Sequence, residues 1–250
     1  SPEFQEKVVN AIVKGDLEAF KKLGVGNDEI NRQLLPQKEL KPVPKYNKDQ
    51  SYIIIKGPTT IMFAILCEQD EIVEYILEST NPDVSIKVKG YNCLHLAAIV
   101  KNPRCLKHIL QHEWIQQEID EPVDFPSREG EKTTALHLAV SNRNYDNVKL
   151  LTNSFPKPRW SFRKRVTNDD DDDDCLEMFP SNVSQKSASG LTPLYIAVSL
   201  CDYKMVEILL SVDADPFIEC ANNKTPIQLA LDMQKEKKDK SKQENDEIDL

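Results

Sequence analysis

One motif recurs along this chain of 250 residues. It reads GPTTIMFAILCEQDEIVEYIL from Gly57, GYNCLHLAAIVKNPRCLKHIL from Gly90 and KTTALHLAVSNRNYDNVKLL from Lys132. It returns as GLTPLYIAVSLCDYKMVEILL from Gly190 and as NKTPIQLALDM from Asn223. Internal repetition constrains a fold more than any local propensity, because each unit buries its apolar face only against its neighbours. The apolar residues that open the copies, Ile61, Leu94, Leu136, Leu194 and Ile227, are 33, 42, 58 and 33 residues apart. The longer gaps are the same period with insertions of 9 and 25 residues. Three residues after each anchor stands an alanine: Ala64, Ala97, Ala139, Ala197 and Ala230. A small residue at one fixed place implies that another backbone approaches closely there.

Each unit reads as two short helices. Thr59, Asn92, Thr134, Thr192 and Thr225 precede the anchors by two places and can accept from free N–H groups at a helix start. Pro193 and Pro226 follow at the first helical position, where a missing N–H costs nothing; Pro103 opens a second helix in the same way. The second helices carry apolar pairs at i, i+4, such as Leu106 with Leu110 and Met205 with Leu209, which predict one buried stripe.

The G-x-T-P-L-H-x-A pattern at this period resembles the ankyrin repeat. Gly190 to Ala197 matches it nearly in full, and Leu94-His95-Leu96-Ala97 and Leu136-His137-Leu138-Ala139 match its middle. A weaker copy leads the array, with Val8, Ala11, Gly15 and Phe20 on the template. The resemblance implies an all-α solenoid of about six helix-turn-helix repeats with short β-turn fingers. The units fall near 5–33, 54–86, 87–119, 129–155, 187–219 and 220–233. Insertions are expected at 34–53, 120–128 and 156–186, with a charged tail over 234–250 that is a frayed helix or disordered. Asn81 and Asp213 stand where the family places a glycine, and both residue types tolerate the left-handed turn expected there.

Net charge is −9, and the run Asp169 to Asp174 supplies six of the negative charges. Such a balance argues against general nucleic-acid binding, which needs a basic face. None of the six cysteines makes a C-x-x-C pair, the pattern of reduced thiols in a cytoplasmic or nuclear protein. There is no apolar run long enough to cross a bilayer, so no membrane insertion is expected. The opening Ser1-Pro2-Glu3-Phe4 reads as a cloning remnant, which implies a cut piece of a longer protein.

No catalytic constellation emerges. His95 and His137 lie on the repeat template, where the resemblance implies a structural hydrogen bond. His108 and His112 are spaced i, i+4 but have no third ligand and are not the H-E-x-x-H pattern. The six adjacent aspartates lack the alternation and glycine turn of a calcium loop. No phosphate-binding loop or nucleophile elbow occurs, and no cofactor or metal is implied.

The expected function is therefore protein recognition without catalysis, by a monomer. The resemblance places the contacts on the turns and on the exposed side of the first helices. Mapped onto this sequence, the turns give Lys56, Lys89, Tyr91, Glu131 and Leu191, and the helices give Ile99, Ser141, Asn142, Ser199 and Leu200. The third insertion, FPKPRWSFRKRVTNDDDDDDCLEMFPSN, adds Trp160 and Arg163 as interface anchors of a projecting finger, or is a mere spacer. Two alternatives remain open: a regulatory or substrate-docking region of a larger enzyme or scaffold, and a nucleic-acid contact through the basic finger 159–165.

Overall fold

The computed structural model describes residues 1–34, 57–111, 119–120, 122–124, 132–152 and 181–248. The leading copy forms α1 (Pro2–Lys14) and α2 (Leu17–Lys22), followed by a short α3 (Asn27–Ile30) that the repeat pattern does not foretell. The next three repeats supply α4 (Thr60–Leu66) with α5 (Asp70–Ser79), α6 (Cys93–Ile99) with α7 (Pro103–Leu110), and α8 (Ala135–Ser141) with α9 (Tyr145–Leu151). The fifth gives α10 (Pro193–Ser199) and α11 (Tyr203–Leu210). The last runs on as one helix, α12 (Pro226–Ile248), so the expected tail continues the helix of the final repeat. The region of the second insertion holds an antiparallel ladder of β1 (Val123–Asp124) with β2 (Lys132–Thr133), pairing Val123 with Thr133.

The first helices form one layer and the second helices another. Within the first layer, α4 packs on α6, α6 on α8, α8 on α10 and α10 on α12. The alanines Ala64, Ala97, Ala139 and Ala197 are fully buried in these seams, as a close helix approach demands. Outside, α5 packs on α7, α7 on α9 and α9 on α11. Charge and ring contacts stitch this outer layer: Arg104 to Asp70 at 3.5 Å, His108 to Glu74 at 3.7 Å, and the Lys204 ammonium 4.4 Å from the Tyr145 ring centre. Exposed pairs of this kind contribute about 0–1 kcal/mol each, so the seams are held by apolar burial.

The predicted caps form. Asn92 Oδ1 accepts from the His95 N–H at 3.0 Å, and Thr192 Oγ1 from the Tyr195 N–H at 3.2 Å. Thr225 makes a reciprocal box with Gln228, each backbone N–H donating to the other's side chain. Thr134 departs from the pattern, because its hydroxyl pairs with His137 Nδ1 at 2.8 Å. The far ends of the first helices use a device the sequence hides. Glu68, Arg143 and Cys201 adopt φ of 58°, 56° and 51°, the left-handed conformation that Gly15 adopts in the leading copy. Each lies four places after its alanine, as Gly15 follows Ala11. Repeat three instead ends in extended Val100, and its free carbonyls are taken by the next repeat. The Asn144 amide lies 2.7–3.1 Å from the Ala98, Ile99 and Val100 oxygens, and the Asn147 amide 2.8 Å from Val100 O. The expectation for Asp213 holds, with φ of 63°, but Asn81 is not left-handed. There α5 ends at extended Thr80, and the Asn81 N–H donates to Asn27 Oδ1 at 3.0 Å.

Register is kept across the longest insertion by direct bonds between repeats four and five. His137 Nε2 donates to the Leu191 carbonyl at 3.0 Å, Arg143 Nη2 to the Leu200 carbonyl at 2.9 Å, and the Tyr145 hydroxyl to Asp202 at 3.0 Å. With Nδ1 facing the Thr134 hydroxyl and N–H, His137 is neutral and protonated at Nε2. Burial pushes it down from 6.5 to about 4, against the raising effect of the Leu191 carbonyl. The unfolded chain therefore takes up this proton near pH 6.5 and the folded chain only near pH 4. Stability from this group is whole above pH 6.5 and is lost as pH falls through about 4. Urea unfolding at pH 7 and pH 4.5 should show an acid-dependent loss of about 2–3 kcal/mol in the parent chain that is absent in His137→Gln. Equal losses in the two chains would contradict this assignment.

Tyr91 makes a second prediction. Its hydroxyl is buried and has no hydrogen-bond partner among the described residues, and burial pushes its ionisation up to about 12. Tyr91→Phe should raise stability by about 1 kcal/mol, whereas Tyr91→Ala should lower it by about 3–5 kcal/mol, both read from denaturant midpoints.

Candidate functional site

The residues expected to face a partner divide into three groups. Lys89, Leu191, Ser141, Asn142, Ser199 and Leu200 lie at least partly open to solvent. Tyr91 and Ile99 do not, being 1% and 3% exposed, which corrects their placement on the surface. Lys56, Glu131, Trp160 and Arg163 lie outside the described residues, as does the basic finger 159–165.

Lys89 sits on a tight finger. Val88 and Tyr91 exchange backbone hydrogen bonds at 2.9 and 3.1 Å, and Lys89 and Gly90 between them have φ of 52° and 83°. Two left-handed residues in a two-residue loop make a type I′ turn, whose twist matches the flanking strands. The turn presents Lys89 to solvent and turns Tyr91 into the core. That inversion is why one position of the pair fits a contact surface and the other does not. Ile99 is drawn in with the whole of α6, which is buried from Cys93 to Ile99.

Leu191 lies on the finger before α10, anchored at its carbonyl by His137 and closed by the Ser187 N–H donating to Leu191 O at 2.8 Å. Ser141 and Asn142 end α8, while Ser199 and Leu200 end α10 at the same template positions. The Arg143 bond to Leu200 O brings these two ends together. Asn142 Nδ2 donates to Leu138 O at 2.8 Å and Ser199 Oγ to Ile196 O at 2.7 Å. These side chains cap their own helices and leave spare hydrogen-bonding capacity outward.

The face is most open in repeat five. At the ends of the first helices Leu66 and Cys67 of α4 are half-buried, Ile99 and Val100 of α6 are buried, Ser141 and Asn142 of α8 are half-buried, and Ser199 after α10 is exposed beside half-buried Leu200. One turn earlier Phe63, Leu96 and Leu138 are buried, whereas Tyr195 and Ile196 are half-buried. Tyr195 and Ile196 belong to this face and the sequence reading passed over them. Their template spacing, one and two places after the Leu194 anchor, is the signal that finds them.

The described residues carry little reactive chemistry. Burial pushes the Cys67 thiol up to about 11, and burial with Asp70 and Glu68 nearby pushes Cys105 up to about 12, so neither is a thiolate at neutral pH. Cys67, Cys93, Cys105, Cys201 and Cys220 are in no disulfide. His108 lies beside Glu74, and His112 is outside the described residues. Among the described residues no cluster of three metal-ligating side chains occurs, and no helix is long and apolar enough to cross a membrane.

Comparison with known proteins agrees with the geometry. A family model for ankyrin repeats in three copies matches residues 9–122 and 61–159, and a single ankyrin repeat model matches residues 189–221. The nuclear factor NF-kappa-B p105 subunit of Gallus gallus is 25% identical over 171 residues, 64% of this chain and 17% of its own length. The tyrosine-protein kinase HTK16 of Hydra vulgaris is 25% identical over 178 residues, 64% of this chain and 22% of its own length. The chain thus spans about a fifth of these curated relatives. The crystal structure of the ankyrin repeat domain of Bcl-3, a member of the IkappaB family, matches with a TM-score of 0.55 and 18% identity, covering 90% of this chain and 78% of that one. From its period, its stacked helix pairs and these matches, the chain belongs to the ankyrin repeat family.

Proposed function

We propose that the chain is a protein-recognition module that binds its partner through the open first-helix face of repeats four and five and the adjoining fingers, without catalysis of its own. The observation that carries this reading is the openness of that face in repeat five, where Tyr195, Ile196, Ser199 and Leu200 are all accessible at positions that α6 buries completely. A rigid scaffold that leaves one polar and apolar strip open suits recognition, since fixed side chains lose little freedom on binding. Leu191 and Lys89 extend the strip onto the finger edge. The thiols held protonated and the structural role of His137 support the absence of catalysis.

A second reading has its own support. Both curated relatives are several times longer than the matched region, and one is a kinase, which favours a docking or regulatory region within a larger protein. The two readings share a surface and differ in whether the partner is a separate chain.

The test compares the parent chain, a Ser199→Arg/Leu200→Asp variant and a deletion of residues 156–186 as affinity baits in source-cell lysate, with mass spectrometry. A partner held by the parent and by the deletion, and lost from the double variant at unchanged helicity, is the expected result. A partner lost only on the deletion would move recognition to the third insertion and overturn the assignment to the helix face.

A further inference from the structure

The last repeat is built differently from the others. In four repeats the anchor of the first helix is roofed by a second helix, and Ile61, Leu94, Leu136 and Leu194 are all buried. Ile227 holds the same position in α12 and is 40% exposed. The reason is local: α12 does not turn back after Asp232 but continues to Ile248. The stretch QKEKKDKSKQENDE has no apolar stripe to fold down with.

The neighbouring helix reports the same vacancy independently. Leu110 in α7 and Thr152 just past α9 are buried, and Leu77 in α5 is half-buried, where a further second helix packs alongside, yet Leu210, their counterpart in α11, is 46% exposed. The Ile227 N–H donates to Pro216 O at 3.4 Å, which brings the turn bearing exposed Phe217 to the base of α12. Leu231, one helical turn beyond Ile227 on the same face, is 51% exposed. Two elements therefore expose apolar side chains, Leu210 in α11 and Ile227 in α12, at positions that are buried in preceding repeats whose helix pairs are complete. The open end continues an interface that the array already makes between α5 and α7, α7 and α9, and α9 and α11.

Charge sets the direction of an occupant. Past Leu231 the same stripe of α12 carries exposed Lys235 and Lys238, while Asp213, Asp215 and Glu219 are exposed on the turn at the other end. Second helices in this array follow a short connection from the first helices and so run antiparallel to them. An occupant with that orientation starts beside the lysines and ends beside the acidic turn. Acidic residues in its first turn and basic ones in its last fit both the seat and the helix dipole.

We propose that the open end formed by Leu210, Phe217, Ile227 and Leu231 is a docking seat for an amphipathic helix of a partner protein, acidic at its N-terminus and basic at its C-terminus. The proposal goes beyond the recognition face of repeats four and five and does not depend on it. By helical spacing, Ile227 and Leu231 lie on the opposite side of α12 from Leu229 and Met233.

The probe is a lactam-stapled peptide of the α5 sequence, Asp70–Ser79, carrying Glu78→Lys, read by fluorescence anisotropy against the full chain. A control peptide keeps the apolar residues and exchanges the charges end for end. The parent chain should bind the acid-first peptide saturably and about tenfold more tightly than the control, with salt reducing the difference. Leu210→Glu/Ile227→Glu should abolish binding. Lys235→Glu/Lys238→Glu, two exposed positions, should weaken the acid-first peptide and strengthen the control at unchanged helicity. No saturable binding, or equal affinity for both peptides, would overturn the proposal. So would concentration-dependent self-association in sedimentation that Leu210→Glu abolishes, because the seat would then be taken by a second copy of this chain.

Discussion

Everything in this molecule depends on how closely successive first helices approach. Ala64, Ala97, Ala139 and Ala197 are completely buried in this layer, and a larger side chain at any of them would overpack it. Close approach buries the anchors and the template histidines together, so apolar contact and polar pairing reinforce each other. Because each unit rests only on its neighbours, the stability of the array is a sum of such seams. The loss of a second helix at the C-terminal end therefore exposes Ile227 and Leu210 without disturbing the repeats before them.

Polar bonds between repeats set register. Where the first helix of repeat three ends without a left-handed residue, Asn144 and Asn147 of the next repeat take its carbonyls. Where the chain leaves for the third insertion, His137, Arg143 and Tyr145 reach the repeat that follows. On the far side Asn182 donates to the Asp120 carboxylate at 2.9 Å, a bond between residues 62 apart in sequence. These contacts let the array absorb insertions while the stacked helices keep one register. Function in such a scaffold lies in the side chains that the common core leaves free.

The candidate site was legible in part, and the reason differs between residues. Ser141, Asn142, Ser199 and Leu200 stand at the ends of first helices, where position alone suggests exposure, and they are at least partly open. Lys89 and Tyr91 could not be separated by position. A two-residue turn inverts the side chains around it, and its handedness rests on a lysine with positive φ. Ile99 shares its template position with Ser141 and Ser199 but lies in a helix, α6, that is buried along its whole length. An isoleucine at a solvated position carried that information, since apolar character there signals either a partner or a cover.

By itself, the sequence determined the period, the helix starts and the core. Thr, Asn and Pro at fixed places open the helices, the anchors and alanines of four repeats fill the seams while Ile227 and Ala230 stay exposed, and these effects act within one turn or one repeat. Tertiary structure alone decided how the first helices end, which template positions remain open and where the array is left unroofed. Left-handed Glu68, Arg143 and Cys201 have no local propensity for that backbone and are held there by the packing around them. The open seat between α11 and α12 exists because one helix continues where its counterparts turn back, and that becomes visible only when the repeats are stacked.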